Sequence, residues 1–92
     1  MAEVYIIHLP SKEKLDKAKE TLNKVIEMAK NKKLPEGLNL KELYFDEQNG
    51  IALCKWEVED INKLIDAAKQ LGVDWDIKIL SNPKRLYKKG LI

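Results

Sequence analysis

The first third of the chain consists of a short apolar run followed by one long amphipathic stretch. Residues 4–9 are β-branched, aromatic or otherwise apolar apart from one histidine, and Pro10 ends the run. This pattern predicts a strand with apolar side chains on both faces. Ser11 is placed to cap a helix with its hydroxyl, and helical spacing of apolar residues continues to about Lys32. Residues 34–37 contain a proline and a glycine, which predict the end of this helix.

A strong turn signal lies in the middle of the chain. Asn49 and Gly50 both tolerate the positive φ that a tight hairpin requires. Apolar residues flank this pair on each side, and we expect strands over residues 38–46 and 51–58. The turn predicts that these two strands are antiparallel neighbours.

The last third of the predicted domain repeats the order of helix and strand. Asp60 is placed to cap a second amphipathic helix, which Gly72 ends. Residues 75–80 alternate as a fourth strand, with Trp75, Ile77 and Ile79 on one side. The order βαββαβ predicts an α+β, ferredoxin-like sandwich over residues 1–80, in which a four-stranded antiparallel sheet carries two helices on one face.

The predicted sheet is apolar on both faces, whereas two helices can cover only one. In the first strand Val4 and Ile6 oppose Tyr5, Ile7 and Leu9, and in the third strand Ala52, Cys54 and Trp56 oppose Ile51 and Leu53. A second apolar face left in water would be a large exposed patch for a monomer. We therefore predict a homodimer in which another copy of the chain covers this face and the two sheets form a barrel-like core.

Composition changes this picture little. With 92 residues, 45% of them hydrophobic, the chain has room for one core, and a net charge of +2 indicates no general attraction to nucleic acid or membrane. Residues 81–92 form a basic tail that contains Lys84, Arg85, Lys88 and Lys89. We interpret this tail as a solvated chain end, and contact with an anionic partner is the second interpretation. The abundance of lysine and glutamate is typical of proteins from hot environments.

Targeting signals and disulfides are not indicated. The apolar run at residues 4–9 is too short for a signal peptide, and no stretch is long enough to span a bilayer. The single cysteine excludes an internal disulfide and fits a reducing cytoplasm.

Few residues could carry chemistry. The one histidine, His8, has no partner at a metal-ligand spacing. Our first interpretation is a structural histidine at a strand end, and the second is a proton donor in a pocket with Glu57. Cys54 is read first as a small buried residue, and Trp56 and Tyr44 as core or dimer contacts. The glycines are isolated and the serines lie at element ends, so no motif supports an enzyme.

The segment Cys54-Lys55-Trp56-Glu57-Val58, followed by Asp60 and a helix ending at Gly72, resembles a family of small ferredoxin-like domains that includes a nickel-binding protein. The resemblance extends loosely over residues 5–79. It implies a homodimer with facing sheets, related in shape to the dimeric α/β-barrel monooxygenases. It also implies nickel or another divalent metal as a cofactor, for which His8 is the candidate ligand. Members often carry a histidine in the second helix, where this chain has Ala67.

A second resemblance belongs to another class. Residues 4–9 are similar to the strand-one motif of RNA-recognition domains, and residues 50–56 follow the outline of their strand-three motif. However, Ile51 and Leu53 stand where that motif has aromatic residues that stack on bases. RNA binding therefore ranks second.

Our leading hypothesis is a homodimeric domain that binds a metal ion or small ligand in a pocket between sheet and partner. The candidate lining residues are His8, Tyr44, Cys54, Trp56 and Glu57. One alternative is a single-stranded RNA binder that uses the bare sheet face and the basic tail. The other is a monooxygenase-like or isomerase-like enzyme of the dimeric α/β-barrel type, which requires a cavity in the barrel interior large enough for a substrate and a polar group with a perturbed pKa.

Overall fold

A computed structural model describes residues 1–90 as one four-stranded antiparallel sheet with two helices. The elements are β1 (Ala2–Leu9), α1 (Leu15–Lys30), β2 (Leu38–Asp46), β3 (Ile51–Val58), α2 (Ile61–Gln70) and β4 (Asp76–Ser81). The strand order is β2-β3-β1-β4, so β1 and β3 are central and β2 and β4 are the edges. This arrangement confirms the predicted ferredoxin-like fold. Two residues of the predicted basic tail, Leu91 and Ile92, lie outside the described residues.

The hairpin joining β2 and β3 has the predicted strand bounds. Asp46 pairs with Ile51, and the four residues between them form the turn. Of the two residues that signalled this turn, only Gly50 adopts a positive φ, of 66°. Asn49 instead uses its backbone N–H and its side-chain amide to donate hydrogen bonds to the Asp46 carboxylate, at 3.1 and 2.8 Å.

The helix ends agree with the sequence at α2 and differ at α1. The carboxylate of Asp60 accepts a hydrogen bond of 2.8 Å from the Asn62 N–H, and Gly72 follows α2 with a φ of 81°. The Ser11 hydroxyl makes no capping bond. The chain enters α1 through a 3₁₀ turn over Lys12–Lys14, which moves the first α-helical residue away from Ser11.

The core lies between the helices and one face of the sheet. Alternate residues of β1 and β3 point towards the helices because side chains alternate along a strand. The fully buried positions Val4, Cys54 and Val58 lie at its centre. The other members of the buried cluster are Ile6, Leu22, Val25, Leu38, Ala52, Trp56 and Leu64. This settles which of the two apolar faces the helices cover.

A β-bulge in β2 decides where the aromatic residues of that strand lie. Leu40 pairs with Trp56 and Glu42 pairs with Lys55, so β2 has one extra residue at this point. After the bulge, Leu43 and Phe45 pack against the core and Tyr44 faces away from it.

The other face of the sheet is uncovered in the single chain. Tyr44 and Leu80 are 58% and 50% exposed there, beside the partly buried Ile7 and Leu53. Residues 82–90 form no helix or strand, and three of them, Pro83 to Arg85, line a shallow depression on this face. In the described part of the chain no helix has the length and apolar character needed to cross a membrane.

Candidate functional site

A cavity of about 280 Å³ lies between the sheet and the two helices. Side chains of β1 and β3 form its floor, and α1 and α2 form its walls. The floor consists of Ile6, His8, Cys54 and Trp56, and the walls include Leu22, Val25, Leu64, Ala67 and Leu71. No lining residue carries a charge at neutral pH, so the cavity is suited to an apolar, uncharged occupant.

His8 is the main polar group on the cavity floor. It shares the helix-facing side of β1 with Val4 and Ile6, and it is 6% exposed. The Trp75 Nε1–H donates a hydrogen bond of 3.0 Å to His8 Nδ1. The other ring nitrogen, Nε2, lies 3.5 Å from the sulfur of Cys54. The imidazole is therefore held between β3 and the residue that precedes β4.

Burial keeps this pair uncharged at neutral pH. Burial lowers the pKa of His8 to about 4, because the charged imidazolium loses the hydration that stabilises it in water. The same effect raises the pKa of the Cys54 thiol to about 12. His8 is thus a neutral imidazole and Cys54 a thiol, and neither behaves as an ion or a ready nucleophile in the free protein.

The surroundings of His8 do not fit nickel or another divalent cation. Within residues 1–90, no group of three His, Cys, Asp or Glu side chains is close enough to hold a metal ion. One imidazole nitrogen already accepts a hydrogen bond from Trp75, and the nearest sulfur, on Cys54, is a protonated thiol. A transition metal needs several deprotonated ligands, which this site lacks.

The structure brings together three of the five residues predicted to line a pocket. His8, Cys54 and Trp56 share the cavity beneath the helices. Tyr44 and Glu57 lie on the opposite face, where Tyr44 donates a hydrogen bond to Glu42 and Glu57 pairs with Lys41 at 3.3 Å. The cavity is therefore inside one chain, whereas the predicted pocket was between the sheet and a partner.

Sequence reasoning missed Trp75 as a member of this site. The sequence predicts Trp75 as the first residue of the fourth strand, but β4 begins one residue later, at Asp76. The available signal was spacing: Trp75 alternates with Ile77, and Ile77 pairs with His8 in the neighbouring strand. Without that register nothing in the sequence relates the tryptophan to the histidine.

Around Lys55 and the two tyrosines, the uncovered sheet face is poorly suited to nucleic acid. Lys55 lies over the Tyr5 ring at 5.9 Å, but it is also 3.4 and 3.8 Å from carboxylate oxygens of Glu42 and Glu3. These carboxylates neutralise the lysine and repel phosphate. Tyr5 and Tyr44 are separated by Leu53 and do not form the pair of neighbouring aromatics that stacks bases in RNA-recognition domains.

Comparisons with known proteins give a fold class. No protein-family model matches the sequence, and no curated protein matches it. Among solved structures, the chain is similar to an antibiotic biosynthesis monooxygenase at 14% identity, with a TM-score of 0.58, over 92% of this chain and 99% of that chain. It is also similar to Rv0793 from Mycobacterium tuberculosis at 12% identity, with a TM-score of 0.54, over 94% of this chain and 98% of that chain.

A third similar structure is a candidate antibiotic biosynthesis monooxygenase from Deinococcus radiodurans, at 17% identity with a TM-score of 0.50, over 98% of this chain and all of that chain. At such identities the likeness shows a shared fold. The chain therefore has the ferredoxin-like α/β fold of the antibiotic biosynthesis monooxygenase-like proteins.

Proposed function

We propose that this domain is a monooxygenase-like enzyme that binds a neutral, largely apolar bicyclic molecule in the cavity beneath its helices. The observation that carries the proposal is an uncharged apolar cavity with one neutral imidazole, His8, on its floor. The monooxygenase-like hypothesis required a cavity and a polar group with a perturbed pKa, and we now place that cavity beneath the helices instead of in the interior of a dimeric barrel. The reaction class rests on the likeness to the solved monooxygenases.

The size of the ligand follows from the cavity volume. An apolar cavity of about 150 Å³ in a protein core accepts benzene. The present cavity of about 280 Å³ is nearly twice as large, which favours two fused rings over one. A larger occupant would have to displace the side chains of α1 or α2.

The chemistry of the lining favours a ligand with little charge. Transfer of an ion into this cavity would cost several kcal/mol, because no opposite charge lines it. His8 can instead exchange one hydrogen bond with the ligand. Such a bond to an otherwise unpaired group contributes about 0.5–1.5 kcal/mol, enough to orient a ligand that is held mainly by apolar contact.

Calorimetric titration with 1-indanone and with indene tests ligand binding. We expect both compounds to bind the wild-type protein and neither to bind Ala67→Phe. Ala67 lines the cavity, and the added ring fills it. Asp66→Phe is the matched control, since the neighbouring residue on α2 is exposed and does not line the cavity. Equal binding by the two variants would contradict the proposed site.

Oxygen uptake tests the reaction class separately. An oxygen electrode would follow wild-type protein with a bicyclic phenol such as 1-naphthol, with Ala67→Phe as the control. Protein-dependent uptake that this variant abolishes supports an oxygenase. Binding without uptake by a panel of such phenols would contradict the enzymatic part of the proposal and leave the binding part standing.

We also propose that the uncovered sheet face pairs with a second copy of the chain. Ile7, Leu53 and Leu80 supply apolar contact there, and Lys55 with its two glutamates supplies polar groups on the same face. Light scattering after size exclusion should give twice the 10.6 kDa chain mass for the wild type and a single chain mass for Leu53→Glu. Asn23→Glu, which adds the same charge to an exposed position on α1, should stay dimeric. A monomeric wild type at high micromolar concentration would overturn this assembly.

A further inference from the structure

Trp75 contacts the candidate site from outside the cavity. Its indole is 7% exposed and borders a groove between α2 and β4, and it does not line the cavity itself. Its only side-chain hydrogen bond in the described structure runs from Nε1 to His8 Nδ1, at 3.0 Å. The tryptophan therefore reaches the cavity only through the histidine.

This contact determines where the neutral imidazole carries its proton. An indole N–H can donate a hydrogen bond but cannot accept one. Nδ1 of His8 must therefore be the unprotonated nitrogen, and the single proton of the neutral ring resides on Nε2. Nε2 points towards the sulfur of Cys54, and both His8 and Cys54 line the cavity.

The Nε2–H has a weak partner in the free protein. A thiol sulfur is a poor acceptor, and its 3.5 Å separation from Nε2 allows only a modest interaction. A ketone or ether oxygen in the cavity would accept this hydrogen bond better than the thiol does. The Thr21 hydroxyl and the Gln70 amide in the lining both donate and accept, so they do not discriminate between ligand types. Trp56, the other lining residue with a ring N–H, can only donate and therefore does not favour an N–H ligand either.

We propose that Trp75 is a positioning residue that holds His8 as the Nε2–H tautomer, so that the cavity selects bicyclic ligands bearing an acceptor oxygen, such as aryl ketones, over ligands that bring an N–H donor. This inference rests on the proposed binding of a small molecule beneath the helices. It adds to that proposal a ligand class and a residue that sets it. Trp75 does not line the cavity and acts on it through His8.

The tautomer is measured first, on ligand-free protein. His8 is the only histidine, so long-range ¹H–¹⁵N correlation spectra of the ring are assigned without ambiguity. We expect a protonated Nε2 and an unprotonated Nδ1 at pH 7. Trp75→Phe should give exchange-averaged shifts of both nitrogens, whereas Ile65→Ala, which alters the same groove but no partner of His8, should keep the wild-type pattern. A protonated Nδ1 in the wild type overturns the inference whether or not the variants fold.

Ligand selection is measured next, with three compounds of nearly the same shape. 1-Indanone offers an acceptor, indole offers a donor, and indene offers neither. We expect 1-indanone to bind about threefold to tenfold more tightly than indene. Indole should bind more weakly than 1-indanone by about tenfold or more, because the indole N–H of the ligand would face the Nε2–H of His8. In Trp75→Phe the ratio of 1-indanone to indole affinity should fall at least about threefold. In Ile65→Ala, which alters the groove that Trp75 borders without lining the cavity, the ratio should persist.

The outcomes separate the two proposals. If none of the three compounds binds, the proposed function fails and ligand selection fails with it. If all three bind but with equal affinity, or if Trp75→Phe leaves their ratio unchanged, the positioning role of Trp75 is wrong while binding beneath the helices stands.

Discussion

The burial of His8 makes the stability of the fold depend on pH in a direction that can be worked out. The ordinary pKa of a histidine is 6.5, and burial lowers that of His8 to about 4. Between these values the unfolded chain binds a proton that the folded chain does not. The free energy of unfolding therefore falls as the pH falls from 6.5 towards 4, and the contribution of neutral His8 is fully present above that range. The loss should reach about 3 kcal/mol near pH 4.

The contacts of His8 support this direction. Protonation would place a hydrogen on Nδ1, which now accepts the Trp75 N–H, so that two donors would face each other. The two side chains that bond to the ring, those of Trp75 and Cys54, are uncharged and offer no compensation. Desolvation and the tryptophan contact therefore both oppose the charged form.

Urea unfolding followed by tryptophan fluorescence, at several pH values from 7.5 to about 4, measures the effect. His8→Gln serves as the reference, because the glutamine does not titrate while the carboxylates titrate equally in both proteins. The difference in unfolding free energy between wild type and variant should shrink by about 3 kcal/mol across this range. A constant difference, or an NMR titration of the His8 ring with a midpoint near 6.5, would show that burial does not lower the pKa of His8.

Three further perturbations test the local structure. Asp60→Ala should cost about 1 kcal/mol in urea unfolding, because α2 loses the cap on the Asn62 N–H; an unchanged midpoint would contradict that role. Gly50→Ala should also cost about 1 kcal/mol, since its φ of 66° strains any residue with a Cβ while Leu15 leaves ordinary contact space; a stabilised variant would show that the turn is misassigned. Cys54 should resist iodoacetamide at pH 8 in the folded protein and react in urea, whereas rapid alkylation of the folded chain would mean that the thiol is neither buried nor weakly acidic.

The fold was predictable because its signals are local. The Asn49-Gly50 pair indicated the hairpin, and the bounds of β2 and β3 agree with the prediction. Asp60 and Gly72 marked the two ends of α2 by capping chemistry and by positive φ. The Ser11 cap was wrong, because a 3₁₀ turn comes between that residue and α1, and spacing alone does not distinguish the two helix types.

The composition of the site was only partly predictable because it depends on which way side chains point. Trp56 and Glu57 are neighbours in β3, so they lie on opposite faces, a rule that the sequence alone contains. Tyr44 required the bulge between Leu40 and Glu42, which has no signature in the residue pattern. Because β1 is apolar on both faces, its pattern could not show which face the helices cover.

The contact between Trp75 and His8 could not be predicted from the sequence for another reason. The two residues are 67 positions apart and meet only because β1 and β4 are paired in one particular register. A shift of that register by one residue would put the tryptophan on the opposite face from the histidine. Long-range pairing of this kind needs coordinates, whereas caps and turns do not.

A crystal of the wild-type protein grown with 5-bromo-1-indanone, measured at the bromine absorption edge, tests binding beneath the helices most directly. We expect an anomalous peak inside the cavity walled by α1 and α2, with the ketone oxygen within hydrogen-bond distance of His8 Nε2. A bromine peak on the uncovered sheet face near Tyr5 and Leu80, with the cavity left unfilled at saturating ligand, would contradict it.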